Sequence, residues 1–159
     1  MVGVLFLLYN TNMSEILLRP VTTEDVDIIL KWRNDAATRE NSFSKDIISH
    51  KDHMKWFDKK MTDENCFMYM LTDDGVPVGH IRIDKENNIG EISYMTAPDK
   101  RGKGYGKLII CECEKVLPDS IRVLVGIIIK ENTPSGKCFI ANGYTEITGG
   151  NENCYIKVL

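Results

Sequence analysis

Three segments in the middle of the chain alternate apolar and polar residues, and only short turn sequences separate them. The segments are CFMYMLTD (66–73), VPVGHIRID (76–84) and IGEISYMTA (89–97), with the turns DDG and ENN between them. Connections this short join strands that lie side by side and run antiparallel. The sequence therefore predicts a three-stranded antiparallel meander, and the rest of the chain must pack against that sheet.

The flanking segments predict helices and further strands around the meander. Before it, strand and helix patterns fall at 15–21, from about 22 to 33 and from about 49 to 61, with a polar stretch at 34–44. After it, the pattern predicts a helix at about 104–116, an apolar strand at 121–130, a short helix at 135–141 and a final hairpin, 144–148 with 154–159. The strand at 121–130 is almost continuously apolar, which favours burial on both faces. The element order β-α-α-β-β-β-α-β-α-β-β indicates a single α/β domain.

Length and charge narrow the function classes. The 159 residues suit one domain, and Met13 is a second plausible start, so we expect a domain at 13–159 and an extension at 1–12. The net charge of −3, with scattered cations, argues against nucleic acid as a partner. The apolar run near the N-terminus lacks a basic flank and falls short of about 20 residues, so no membrane partner is expected. Five cysteines without a C-x-x-C pair favour idle thiols in a reducing cytoplasm and no metal site.

The segment RGKGYGK at 101–107 joins the end of the meander to the start of a predicted helix. A helix N-terminus has backbone N–H groups without intrahelical partners, and closely spaced glycines let the main chain approach a ligand. Arg101, Lys103 and Lys107 add positive charge to these donors. The loop is thus predicted to bind a phosphate or pyrophosphate, with a glycine-rich turn carrying solvated lysines as the alternative.

Two common phosphate loops do not match this segment. A Walker A loop requires G-x-x-x-x-G-K followed by Ser or Thr, whereas the glycines here are one residue too close and Leu108 follows the lysine. A dinucleotide fingerprint belongs after the first strand of a βαβ unit, and this loop follows an antiparallel meander.

The loop instead resembles the acetyl-CoA pyrophosphate loop of the Gcn5-related N-acetyltransferase (GNAT) superfamily, R-x-x-G-x-G, at Arg101, Gly104 and Gly106. Downstream, NTPSGKCFIANGY at 132–144 is similar to the second cofactor motif of that superfamily. The resemblance covers about 15–159 and implies acetyl-CoA as cofactor and a single-domain α+β fold. Its mixed, mostly antiparallel sheet would splay between strands 4 and 5 and be flanked by four helices. The implied cofactor contacts are Tyr94, Met95, Thr96, Arg101, Gly102, Lys103, Gly104, Tyr105, Gly106, Lys107, Asn132, Ser135 and Lys137.

In the chemistry that this resemblance implies, an amine attacks the thioester directly and a general base removes its proton. Glu91 lies on the cofactor-facing strand just before the splay and is the expected base, with His53 and His80 as alternatives. Many GNAT enzymes use a tyrosine acid at the position that Phe139 holds here, so a tyrosine acid at that position is excluded. Water, Tyr94 or another residue would then protonate the thiol, or it leaves as a thiolate.

The first two predicted helices carry the pattern WRND, then R-x-x-S, then H-x-x-WF. This pattern is similar to GNAT enzymes that acetylate the 4-amino group of UDP-linked amino-dideoxy sugars. It implies acceptor contacts from Trp32, Arg33, Asn34, Arg39, Ser42 and His53, and the alternative is that its aromatics only pack the helices. A protein N-terminal amine, as in the ribosomal-protein branch, or an antibiotic or polyamine remains an alternative acceptor. A sensor that binds acetyl-CoA without turnover is the non-enzyme alternative. The resemblance is also compatible with a homodimer.

Overall fold

The structure, a computed structural model, describes residues 14–159. It contains one seven-stranded sheet, with strands β1 (Ile16–Pro20), β2 (Cys66–Asp73), β3 (Val76–Glu86), β4 (Ile89–Thr96), β5 (Val123–Ile129), β6 (Thr145–Gly149) and β7 (Glu152–Val158). The predicted extension at 1–12 lies outside the described residues. The predicted meander is confirmed as β2, β3 and β4.

Five α-helices pack on this sheet: α1 (Val26–Arg33), α2 (Ala36–Glu40), α3 (His50–Met61), α4 (Tyr105–Glu114) and α5 (Thr133–Ala141). The prediction of four helices is corrected by α2, which forms inside the polar stretch at 34–44. Its five residues have no apolar period to reveal them. The helix starts because the carboxylate of Asp35 accepts a hydrogen bond from the Thr38 amide at 3.2 Å.

The strands are ordered β1-β2-β3-β4-β5-β7-β6, and every neighbouring pair is antiparallel except β4 and β5. These two parallel strands pair only from Ile89 with Val123 to Ile92 with Gly126. Both strands continue beyond this pair, and each stays paired with the strand on its other side. β4 pairs with β3 as far as Thr96, and β5 pairs with β7 as far as Ile129. The expected splay is confirmed, and it opens between two strands that are held in place from outside.

Two hydrophobic clusters cover the two faces of the sheet. The larger cluster lies under α4 and α5 and includes Ile81, Ile109, Leu124 and Phe139. The smaller one lies under α1 and α3 and includes Trp32, Phe57 and Met70. The face of β5 that bears Val123, Val125, Ile127 and Ile129 is only half-buried, whereas Leu124, Gly126 and Ile128 are buried.

The prediction that this strand is buried on both faces is therefore wrong. Burial on both faces requires a packed layer on each side of a strand. Within the described residues, the smaller cluster draws its members from α1, α3 and the strands β2 and β4, and none of them from β5. The alternation of burial along β5 follows from this one-sided cover.

Candidate active site

The splay leaves the inner edges of two strands without a neighbouring strand. Ser93 to Thr96 of β4 and Ile127 to Ile129 of β5 lie beyond the last residue pair that joins the two strands. Backbone N–H and C=O groups on such edges can pair with an extended ligand, as in the addition of a strand to a sheet. The predicted contacts Tyr94, Met95 and Thr96 all lie on this edge.

The predicted phosphate loop lies immediately after this edge. Gly102 and Gly104 have φ values of +73° and +86°, and Gly104 is the N-terminal cap of α4. A Cβ atom built on either glycine would have no heavy atom within 4 Å. The open space beside these two positions and the amides of the first turn of α4, which have no intrahelical partners, suit the binding of an anion.

The lysines near the anion site are exposed, whereas the tyrosine of the loop contacts the end of β2. Lys103 and Lys107 are exposed, and Lys137 is exposed in the second turn of α5. Tyr105 donates a hydrogen bond to the carboxylate of Asp73 and so fixes the first turn of α4 to the end of β2. Tyr105 therefore has a structural contact in addition to its predicted place beside the cofactor.

The start of α5 forms the opposite wall of the gap. Asn132 caps this helix, because its Oδ1 accepts a hydrogen bond from the Ser135 amide at 3.3 Å. The Ser135 hydroxyl is buried and donates to the Tyr94 hydroxyl at 2.9 Å. A Cβ on Gly106 would lie 3.1 Å from Cys138 Sγ and 3.3 Å from Tyr94, so this glycine lets α4 approach both. Tyr94 is thus enclosed by α4 and α5 at the mouth of the splay.

Phe139 is buried in an aromatic cluster and does not border the gap. Its ring stacks on Tyr155 at 5.3 Å and meets Tyr144 and Tyr94 edge-on at 5.1 and 5.9 Å. Burial raises the pKa of Tyr94, so this phenol keeps its proton at neutral pH. Of these aromatic residues only Tyr94 lies on the splayed edge with a hydroxyl.

Three features fit the pantetheine and phosphates of acetyl-CoA. They are an open strand edge, a glycine-rich loop at the start of α4 and the capped start of α5 on the other side. The sequence pattern of the acetyltransferase (GNAT) domain family matches residues 15–145. The chain belongs to the GNAT family. It is an acetyl-CoA-dependent N-acetyltransferase.

Solved structures share the fold of this GNAT domain. A domain from Methanocaldococcus jannaschii matches with a TM-score of 0.80 at 22% identity, over 92% of this chain and 99% of that one. Spermidine N-acetyltransferase from Vibrio cholerae, in complex with CoA and spermine, matches with a TM-score of 0.77 at 15% identity, over 90% and 95%. Ribosomal-protein-alanine N-acetyltransferase from Brucella melitensis matches with a TM-score of 0.74 at 20% identity, over 90% and 99%. The search of curated proteins found no match.

The polar residues predicted to bind the acceptor hold the segment between α1 and α3 of the GNAT domain in shape. Asn34 exchanges two hydrogen bonds with the main chain of Ile48, each of 2.9 Å. Arg39 donates to the carbonyls of Asn34 and Lys45 at 3.2 and 2.8 Å. Ser42 donates to the Thr38 carbonyl at 2.6 Å. We call residues 34–48 the acceptor segment, after the role that the sequence predicts for Asn34, Arg39 and Ser42. Hydrogen bonds within the segment hold these three residues in place.

Arg33 enters the same segment from the last turn of α1. Its Nη2 donates to the Ser44 carbonyl at 3.0 Å, while its Nη1 is buried and has no partner among the described residues. Burial, and then the positive charge of Arg39, lower the pKa of Arg33. Arg33 and Arg39 bond to the carbonyls of the adjacent residues Ser44 and Lys45, and neither arginine forms an ion pair within residues 14–159.

Trp32 and the histidines lie deeper than the sequence predicts. Trp32 is 4% exposed and His53 is 2% exposed, both in the packing of α1 and α3 on the sheet. His53 Nε2 lies 2.8 Å from the Val26 carbonyl, and its ring stacks on Trp56. His80 is also buried, and its Nε2 has no partner among the described residues. Burial lowers the pKa of His53, and it lowers that of His80 to about 3.

Glu91 is exposed on the face of β4 that looks toward α3, and it lies one residue before the last β4–β5 pair. Glu91 pairs with Asp84 on the neighbouring strand β3. The Asp84 carboxylate forms ion pairs with Lys60 at 2.5 Å and with Arg82 at 2.7 Å. Six charged residues line the cleft at this site: Lys60, Asp63, Asp84, Lys85, Glu86 and Glu91.

Sequence reasoning missed one arrangement beside this cleft. The Arg82 guanidinium lies 5.3 Å from the centre of the Trp56 ring and donates to Ser93 Oγ at 3.4 Å. Ser93 is the first β4 residue beyond the last β4–β5 pair. Strand alternation could have placed Arg82 on the Glu91 face, but its contact with Trp56 depends on how α3 packs.

The described residues show neither a cluster of metal ligands nor a membrane-spanning helix. Within residues 14–159, no group of three or more His, Cys, Asp or Glu side chains is placed to hold a metal ion. No helix in this part of the chain is long and apolar enough to cross a bilayer.

Proposed function

We propose that this enzyme acetylates the 4-amino group of a nucleotide-linked amino sugar. The observation that carries the proposal is the pair Arg33 and Arg39 in the acceptor segment. Both are cations held close together with no carboxylate partner among the described residues, and Arg33 has an unpaired, buried donor. Such a donor destabilises the free protein until an acceptor oxygen reaches it.

A diphosphate is the anion that suits two neighbouring guanidinium groups, because arginine donates two parallel hydrogen bonds to phosphate oxygens. The acceptor segment also lies on the same side of the sheet as Glu91. We therefore propose that the diphosphate of the acceptor binds near Arg33 and Arg39, with the sugar amine directed toward the splay. Trp32 contributes by packing under the segment, since its ring is buried.

Acetyl-CoA supplies the acetyl group as a thioester. The loop 101–107 and the start of α5, through Asn132, Ser135 and Lys137, are proposed to hold its phosphates and pantetheine. Glu91 is proposed to take the proton of the amine, directly or through water, because it is exposed, lies beside the splay and has no ion-pair partner within the described chain. Tyr94 is proposed to donate a proton to the departing thiolate of coenzyme A, because it lies on the splayed edge, accepts a hydrogen bond from Ser135 at 2.9 Å and keeps its own proton at neutral pH.

A second candidate is a cationic amine such as a polyamine. The cleft at Glu91 has four carboxylates and two lysines, so it is acidic by two formal charges. A cleft of this sign attracts a polycation. The cation candidate uses this cleft and leaves the arginine pair without a ligand, which is the reason that it ranks second.

The deciding experiment offers the enzyme and acetyl-CoA to three acceptors: a UDP-4-amino-4,6-dideoxy sugar, spermidine and an N-terminal peptide. Mass spectrometry detects the added acetyl group, and released thiol gives the rate. Multiple turnovers with the sugar nucleotide, weakened by added salt, support the proposal. Turnover with spermidine alone selects the cationic candidate, and peptide turnover overturns both.

A further inference from the structure

The short helix α2 contacts both elements that form the cofactor site. At its start, Arg101 Nη2 donates to Asp35 Oδ2 at 2.6 Å and to Thr38 Oγ1 at 2.8 Å. At its end, Asn132 Nδ2 donates to the Asn41 carbonyl at 3.3 Å. The acceptor segment is therefore attached at one end to the glycine loop and at the other to the cap of α5.

The contact with Arg101 leaves donors free. Both hydrogen bonds come from Nη2, so the Nε–H and the two Nη1–H groups of Arg101 have no partner among the described residues. Its side chain is 38% exposed and lies in the loop whose next residue, Gly102, borders open space. One guanidinium can thus donate to Asp35 and Thr38 on one side and to a phosphate oxygen on the other.

Asn132 divides its amide group in the same way. Its oxygen accepts from the Ser135 amide and caps α5, while its nitrogen reaches the acceptor segment. Neither link is strong by itself, because the Arg101–Asp35 ion pair is partly exposed and the Asn132–Asn41 hydrogen bond is neutral and 3.3 Å long. Ordering the Arg101 side chain by a second ligand would reduce the entropy cost of the first contact and so strengthen it.

We propose that Asp35 is a positioning residue that couples the two substrates of this enzyme. Asp35 holds the Arg101 guanidinium against α2, so that an anion bound at the glycine loop orders the acceptor segment through Arg101. Acetyl-CoA thereby completes the acceptor site, and the acceptor binds better to the enzyme that already holds the cofactor. This inference rests on the proposed role of the glycine loop, and it is independent of which amine is acetylated.

Asp35→Asn is the informative variant, because asparagine caps a helix as well as aspartate does. Oδ2 of Asp35 accepts from both the Thr38 amide and Arg101, so asparagine keeps an oxygen at this place and removes only the negative charge that strengthens the contact with Arg101. Glu40→Gln is the matched control, since Glu40 lies exposed on the same helix and its side chain forms no ion pair within residues 14–159. Thr38→Val is a second test, because it removes the other acceptor of Arg101.

Hydrogen–deuterium exchange with and without CoA is the measurement, with the CoA affinity of each variant measured by calorimetry. In the parent enzyme and in Glu40→Gln, CoA should slow exchange at 35–42 by about fivefold or more, the lower end of typical coupling between sites. In Asp35→Asn, CoA should still protect 101–107, while its effect on 35–42 becomes clearly smaller than in the parent enzyme, because a charged hydrogen bond is replaced by a weaker neutral one. Thr38→Val should show a partial loss.

Equal CoA-dependent protection of 35–42 in the parent and in Asp35→Asn would overturn the inference. Faster exchange at 35–42 upon CoA binding would also overturn it, because Arg101 would then be leaving Asp35. If CoA binds but does not protect 101–107 even in the parent enzyme, the proposed loop assignment itself is wrong, and the inference falls with it. No acceptor is used, so the outcome does not depend on the proposed sugar.

Discussion

The proposed cofactor side and the proposed acceptor side of the candidate active site are built differently. On the cofactor side, the splayed strand edges, Gly102, Gly104 and the start of α4 offer main-chain groups and open space. On the acceptor side, Arg33, Asn34, Arg39 and Ser42 use hydrogen bonds to fix the backbone of the acceptor segment. A site made from the main chain needs few fixed residue types, and these glycines form a recognisable motif. A site made by side chains that also hold their own loop has no such signature.

Glu91 lies where the two sides meet, so Glu91→Gln tests whether chemistry can be separated from both binding functions. We expect kcat to fall by about 10² to 10⁴, the usual contribution of a general base. The affinity for acetyl-CoA should stay the same, as measured by calorimetry. Glu86→Gln, which removes another carboxylate of the same cleft, is the control and should retain kcat. An unchanged rate of thiol release in Glu91→Gln would move the base elsewhere.

Gly104→Val tests the main-chain character of the cofactor side. We expect the Kd for acetyl-CoA to rise by about a hundredfold, because valine at a φ of +86° is strained by about 1–3 kcal/mol and its side chain fills the open space beside the loop. Gly143→Val is the control, since Gly143 has a φ of +82° and equally open surroundings at the far end of α5. Both variants should lose stability in urea. Equal loss of acetyl-CoA affinity in both would contradict the loop assignment.

Arg39→Ala tests whether the hydrogen bonds that fix the acceptor segment are needed for acceptor binding. Because Arg39 bonds to two carbonyls of that segment, we expect the KM for the acceptor to rise by about tenfold, the loss of one charged hydrogen bond. The Kd for acetyl-CoA should change by less than about twofold. Lys31→Ala removes an exposed cation from α1 and is the control. If the KM and the Kd rise together, the arginine is a general structural residue.

Mild acid should destabilise the fold through the two buried histidines, His53 and His80, because burial lowers the pKa of both. The pKa of His80 in the folded protein is about 3, below its usual value near 6.5, so the unfolded chain binds a proton that the folded protein refuses. The free energy of unfolding should therefore fall as the pH drops from about 6.5 toward 4, at up to about 1.4 kcal/mol per pH unit for this group. Urea titrations measure this slope.

His80→Met should make the slope shallower, since it removes the titrating group and leaves an apolar side chain beside Met70 and Met95 of the neighbouring strands. His50→Gln is the control, because His50 is exposed and its loss should change the slope little. An identical slope in His80→Met would mean that other groups, such as His53, carry the pH dependence.

The sequence predicted the elements whose signals are local. The meander follows from alternation and turn residues, and the glycine loop follows from a motif of neighbouring positions; the splay between strands 4 and 5 was expected only from the resemblance to the GNAT superfamily. The helix α2 was missed because nothing apolar marks it, and its link to Arg101 joins residues 66 positions apart. Such a contact depends on the finished fold.

The acceptor residues show the same limit. WRND and R-x-x-S were recognised as a group, but the pattern could not separate Trp32, which is buried, from Arg33, which keeps a free donor. The Arg82–Trp56 contact was missed for the same reason as the Arg101–Asp35 contact, because both depend on how elements far apart in the sequence pack in the finished fold. A sequence lists the polar residues of a loop, whereas their hydrogen-bond partners decide which of them remain available to a ligand.

The contact between Phe139 and Gly126 has a consequence for how this enzyme can evolve. A Cβ on Gly126 would lie 2.2 Å from Cζ of Phe139, the ring carbon that bears the hydroxyl in tyrosine. A hydroxyl added there would begin at the atom already closest to β5. Phe139→Tyr alone would therefore not install a tyrosine acid beside the thioester, because the ring would first have to turn away from Gly126. The residue at 139 can thus change its chemistry only together with the packing of β5 beneath it.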